Sequence, residues 1–125
     1  MDLRQHIAAI LKRWLEMTHA ENQAIRAGDW PALRKTQEAK AALRETLGKA
    51  IEKWKNAKPE EAKSRPFRDE VAKLLSLETR NSDLLAARKR QAEEKKVLLE
   101  QALYNLRRIR SSYARAANPA AHSYS

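Results

Sequence analysis

A chain of 125 residues fits one domain, and the absence of cysteine excludes disulfides, thiolate catalysis and zinc–cysteine sites. With 2 Gly, 4 Pro, 34% charged residues and few β-branched side chains, the chain is built from strong helix formers, which excludes a sheet-rich fold and gives an all-α class. A net charge of +10 points toward an acidic partner, nucleic acid or a membrane surface.

Asp2 can cap a first helix whose apolar positions are Leu3, Ile7, Ile10, Trp14 and Met17. Their spacing alternates four and three, the heptad pattern. Leu11, Leu15 and Ile25 widen the stripe, and Trp14 falls on the seam with Ile7 and Ile10. The pattern breaks at Ala27-Gly28-Asp29-Trp30-Pro31. Gly suits a left-handed helix end, Asp caps a following helix, and Pro is tolerated in a first turn. Two antiparallel helices with a short connection follow. The alternative is one kinked helix from Leu3 to Trp54.

The second helix carries Trp30, Leu33, Leu43, Leu47, Ala50, Ile51 and Trp54. Lys40 interrupts its seam, where Ala39 can still pack. Glu45 precedes Lys49 by one helical turn, a favourable surface pair. Between Asn56 and Pro66 the chain turns, with a single helical turn expected from Pro59-Glu60-Glu61. Ser64 is expected to cap the last helix, with Pro66 in its first turn. Phe67, Val71 and Leu74 continue the seam, and Glu78 and Asn81 then occupy seam positions, where polar residues fix register at some cost in stability. Trp14, Leu43, Trp54, Val71 and Leu74 form the expected core.

From Leu74 to Tyr113 there is no Pro and no Gly. Leu85, Ala92, Leu99, Leu106 and Tyr113 recur at heptad intervals, flanked by Leu84, Leu98, Ala102 and Ile109. The resulting stripe spans about 140° of a helix with ~3.6 residues per turn. A two-stranded seam needs less, so the stripe has room for a second neighbour. The alternative is that three packed helices consume all of it. At ~1.5 Å per residue the last helix is about 73 Å long and the first two about 40 Å each. The expected architecture is an elongated antiparallel bundle or coiled-coil hairpin of three helices, the third longest. These run over about residues 2–27, 30–56 and 66–116, within one helical domain over residues 1–117 followed by a mobile tail over 118–125. Helix should exceed about three quarters of the chain, against the usual ~30–35%. The pattern suits a monomer or a homodimer.

No reactive constellation is apparent. His6 and His19 lie on different sides of one helix, and no His pair has metal-ligand spacing with a carboxylate. Glu60-Glu61 and Glu93-Glu94 are adjacent, so each pair diverges by about 100° and reads as solvated surface. No phosphate-binding loop is present. An enzyme, a metal and a cofactor are not expected. Arg88-Lys89-Arg90, Lys95-Lys96 and Arg107-Arg108 form basic steps able to touch phosphates without specificity. Glu93, Glu94 and Glu100 dilute them, and no nucleic-acid-binding motif accompanies them, so nucleic acid is the lesser alternative. The first residues have no signal-peptide architecture, and the run Ile7 to Leu11 is far short of the ~20 apolar residues of a membrane helix. A cytoplasmic protein that is not membrane-inserted is expected.

Three stretches carry a resemblance. Ile25-Arg26-Ala27-Gly28-Asp29-Trp30-Pro31-Ala32-Leu33, followed by Lys40, Leu43 and Leu47, resembles the "a-G-D-x-x-x-L…K…L…L" stretch of flagellar export chaperones of the FlgN type. Asn81-Ser82-Asp83-Leu84-Leu85 is similar to their "N-x-x-L-L" segment, and Tyr113 to the Tyr late in their last helix. Asp29-Trp30 and the short length also resemble the FliT type, which serves the filament-cap protein. The charge of +10 and the lack of a Gly after Tyr113 depart from the FlgN pattern. The resemblance implies a cytoplasmic helical chaperone of type III secretion, which holds hook-filament junction proteins before export and docks on the cytoplasmic part of the export-gate membrane protein. It implies that Tyr113 is the gate contact. The stripe of Leu98, Leu99, Leu103, Leu106 and Ile109 is the expected receiver of an amphipathic client helix.

Overall fold

The computed structural model describes residues 2–117. These residues are 93% helical, with no strand among them, so the fold is all-α. Four helices follow in order: α1 (Leu3–Ala27), α2 (Trp30–Ala57), α3 (Pro59–Lys63) and α4 (Arg68–Ala117). The chain divides into two units, with the boundary between Ala86 and Ala87 inside α4. The segment expected to form a tail, 118–125, lies outside the described residues.

Local chemistry sets most helix ends. Asp2 Oδ1 accepts the Gln5 amide at 2.7 Å, and Gln5 Oε1 accepts the Asp2 amide at 3.4 Å, closing a capping box. Gly28 takes φ 68°, and its amide and that of Asp29 bond back to the carbonyls of Ile25 and Ala24. A side chain is disfavoured at that φ, which explains the glycine. Asp29 then caps α2 through the Ala32 amide, with Pro31 in the first turn. The two-helix reading of this region holds, and the single kinked helix does not. The single turn expected near Pro59 is α3.

Ser64 does not cap the last helix. Its hydroxyl donates to the Glu61 carbonyl at 2.6 Å, Arg65 adopts φ 53°, and α4 starts only at Arg68. A residue before proline is steered away from the right-handed helical region, so Arg65-Pro66 breaks the path between Ser64 and α4. The α4 ladder opens with the Val71 amide on the Phe67 carbonyl.

The first unit is a three-helix arrangement, up-down-up, of α1, α2 and the beginning of α4. Ile7, Ile10 and Leu11 of α1 pack with Ala50 and Trp54 of α2 and Leu74 of α4. At the other end Ala24 and Ile25 pack with Leu33, Leu84 and Leu85. Pairing of early α1 with late α2 makes these two antiparallel, while α4 runs alongside α1 in the same direction. Trp54 and Leu74 are buried as expected. Trp14 and Leu43 are half-buried and pack onto the first cluster. Val71 is 41% exposed, contrary to expectation. It shares its heptad position with Glu78 and Leu85, but at this end of the bundle it lines a groove with Ile7, Leu11, Ile51 and Trp54 that no side chain fills. Ala39 is also exposed, and Lys40, expected to interrupt the seam, is buried in it.

Candidate docking surface

Two regions of the molecule present chemistry beyond simple core packing. The first lies within the bundle, between its two apolar clusters. Lys40 is 4% exposed, and its ammonium pairs with Glu78 Oε1 and with Glu21 Oε1 and Oε2 at 3.3 and 3.4 Å. Glu78 Oε1 also accepts Trp14 Nε1 at 2.9 Å, and the Thr18 hydroxyl lies 2.9 Å from it. The Lys40 ammonium sits 5.7 Å from the centre of the Trp14 ring, within cation–π range. Asn81 donates to Glu21 Oε1 at 3.0 Å and to the Thr18 carbonyl at 2.9 Å, and accepts from Asn22 at 2.8 Å. No buried side-chain polar atom among the described residues lacks a partner. Burial pushes the Glu78 carboxyl up, but the hydrogen bonds from Lys40, Trp14 and Thr18 and the Lys40 charge outweigh it and hold the group below the usual range.

This layer has three helices in it; a small pocket of about 160 Å³ reaches Glu21, Glu78 and Asn81, while Lys40 is buried and not in its lining. The layer reads as a register device: sliding α4 by one turn against α1 would pull Glu78 and Asn81 from their partners and leave charges buried. Glu78 and Asn81 were legible as polar seam residues. Thr18, Glu21 and Asn22 were not, because in α1 the apolar periodicity already accounts for the fold. Asn81, Leu84 and Leu85, which carry part of the resemblance, here hold the bundle together. Glu61 also departs from the solvated reading: it bonds Arg4 at 3.2 Å and accepts Trp54 Nε1 at 3.4 Å. Glu45 and Lys49 form the expected surface pair at 3.7 Å.

The second region is α4 beyond the boundary at Ala86. Every described residue from Lys89 to Ala114 is exposed. Leu98, Leu99, Leu103, Leu106 and Ile109 are all among the exposed large apolar residues, at 65% for Leu98 and 62% for Leu106. Tyr113 is 72% exposed. At ~100° per residue, Leu99, Ala102, Leu103, Leu106, Ile109 and Tyr113 share one helix face, with Leu98 at its edge. Leu85, the first of the heptad series, packs against the second core cluster, whereas Leu99, Leu106 and Tyr113 have no cover. The bundle therefore does not consume the whole stripe. Arg108 stacks over the Tyr104 ring at 5.8 Å, on the side away from it.

A groove of about 410 Å³ in the first unit escaped the sequence reading. Its floor is Ile7 and Leu11, its walls include Ile51, Trp54, Val71 and Leu75, and Arg65 and Arg68 also line it. The signal for it was Leu75, an apolar residue off the heptad seam and one turn from Val71.

Among the described residues no group of His, Asp and Glu is placed to hold a metal, and no helix is long and apolar enough to cross a membrane. The chain matches no family model, no curated protein and no solved structure.

Proposed function

We propose that this protein is a docking protein for an amphipathic segment of a partner, and specifically a cytoplasmic export chaperone of the flagellar type III secretion system. The observation that carries the docking role is the uncovered apolar face of Leu98, Leu99, Leu103, Leu106 and Ile109 on a helix whose earlier apolar positions are packed. Contiguous exposed apolar surface of this kind marks an interaction site. A helical face with anchors at i, i+3, i+4 and i+7 is suited to a partner helix, which is disordered alone and folds as it binds.

The flagellar assignment rests on the resemblance to FlgN-type chaperones. It makes the client a hook-filament junction protein, or the filament-cap protein if the FliT type is the better parallel. It makes Tyr113 the contact with the cytoplasmic part of the export gate. The test is a pull-down of both partners with two variants. Leu103→Asp should lose the client, and Tyr113→Ala should lose the gate while retaining the client. If both variants hold client and gate like the parent, the assignment is wrong. A nucleic-acid role, the rival drawn from Arg88-Lys89-Arg90 and Arg107-Arg108, predicts instead an affinity for duplex DNA that falls steeply with salt.

A further inference from the structure

The charges around the exposed face of α4 are unevenly placed. On a helix of ~3.6 residues per turn, Lys89 and Arg107 are five full turns apart and point the same way, with Lys96 about 20° from them. These three form one edge of the apolar face, next to Leu103. The other edge, beside Leu98 and Ile109, holds Gln101, Asn105 and Ser112, with Glu94 as its only charge. Lys89, Lys96 and Arg107 are exposed and make no ion pair with other described residues. Glu100 lies about 20° beyond Lys89 and Arg107 and Glu93 about 40° beyond them, so these two acids border the basic edge on the side away from the apolar face.

A second copy of the chain in antiparallel pairing is a poor occupant of the face. Antiparallel pairing that aligns Leu99 with Ile109 and Leu106 with Ala102 sets Lys96 level with Ser112 and within two residues of Arg110 on the same flank. That arrangement crowds like charges beside the seam, which costs affinity. A basic partner is disfavoured for the same reason.

We propose that the segment docking on this face is an amphipathic helix with acidic residues along one edge only, the edge that meets Lys89, Lys96 and Arg107. This rests on the docking reading above and adds the partner's charge pattern. It also provides a use for the surplus positive charge of the chain, much of which lies in this part of α4.

Two synthetic helical peptides test it against the full chain. They share one Leu/Ile seam and differ along one edge, which carries Glu in the first peptide and Lys in the second. By titration calorimetry in low salt the Glu-edged peptide should bind at least about tenfold tighter, and the advantage should shrink as salt approaches about 0.5 M. The double variant Lys96→Glu/Arg107→Glu should reverse the preference, with far-UV circular dichroism confirming that the helix persists. Leu103→Asp should abolish binding of both peptides. Equal binding of the two peptides, or no change on charge reversal, overturns the acidic-edge inference and leaves the docking reading standing. If neither peptide binds, the docking reading falls as well. A 20-base-pair duplex that displaces the Glu-edged peptide at equal concentration would overturn the inference in favour of phosphate recognition.

Discussion

Residues 68–86 and residues 89–114 belong to one helix and hold their helical form by different means. In the first part Leu74 and Asn81 are buried, Glu78 joins a charged layer, and Leu84 and Leu85 meet α1 and α2. In the second part every residue is exposed, and the helix depends on Ala, Leu, Glu, Lys and Arg and on the absence of Gly and Pro. Such a helix is marginal alone and gains from nucleation by the preceding turns. The apolar spacing is similar in both parts. The difference teaches that the spacing is a capacity to pack, realised in one part and left open in the other.

The packed part should break most severely at its charged layer. Lys40→Ala leaves Glu21, 6% exposed, with no cation and only the Asn81 amide on its carboxylate, and should cost about 3–5 kcal/mol of unfolding free energy in urea titration. A loss below about 1 kcal/mol would mean that water replaces the ammonium, and the layer would not lock the register of α4. Trp14→Ala should cost about 3 kcal/mol, since it removes a large ring from the cluster edge and a donor from Glu78. An unchanged midpoint would assign the ring to a binding role instead.

A smaller effect should appear in acid. The Glu78 carboxyl is held below its ordinary value, so the folded state binds its proton less readily than the unfolded state. The associated stability is present above the unfolded value, near pH ~4.3, and is lost as the pH falls through the lower folded value. Glu78→Gln should therefore flatten the acid limb of a melting-temperature profile below about pH 4.5 and leave its slope near pH 7 unchanged. An acid limb of the parent's steepness in the variant would place the titration elsewhere.

The smallest expected change in stability is in the exposed part. Leu103→Asp and Tyr113→Ala should each shift the unfolding free energy by no more than about 0.5 kcal/mol, as exposed sites do. Leu103 is 41% exposed, so global unfolding by Leu103→Asp would show that its face is core after all. Together with the pull-down, this separates a surface that binds from one that merely packs.

What the sequence alone determined lies mostly in the backbone. The all-α class, the break at Gly28-Asp29, the single turn at Pro59 and the long uninterrupted last helix follow from capping groups, proline and glycine, whose effects act over one turn. The apolar faces were legible too, because periodicity assigns Leu74, Trp54 and Leu106 to a stripe whatever surrounds them. Tertiary structure alone decided which stripes are covered. Val71 lies open and Leu74 closed although both fit the heptad, because Leu74 meets the cluster of Ile7, Ile10 and Trp54 whereas Val71 borders a groove left unfilled between the helices. Lys40 replaces Ala39 in the seam because Glu21 and Glu78, from two other helices, arrive there to neutralise it. Ser64 fails to cap α4 because the path through Arg65-Pro66 carries the chain out of the helical line. Periodicity reports the direction in which a side chain points, and burial depends on what the rest of the chain brings to meet it.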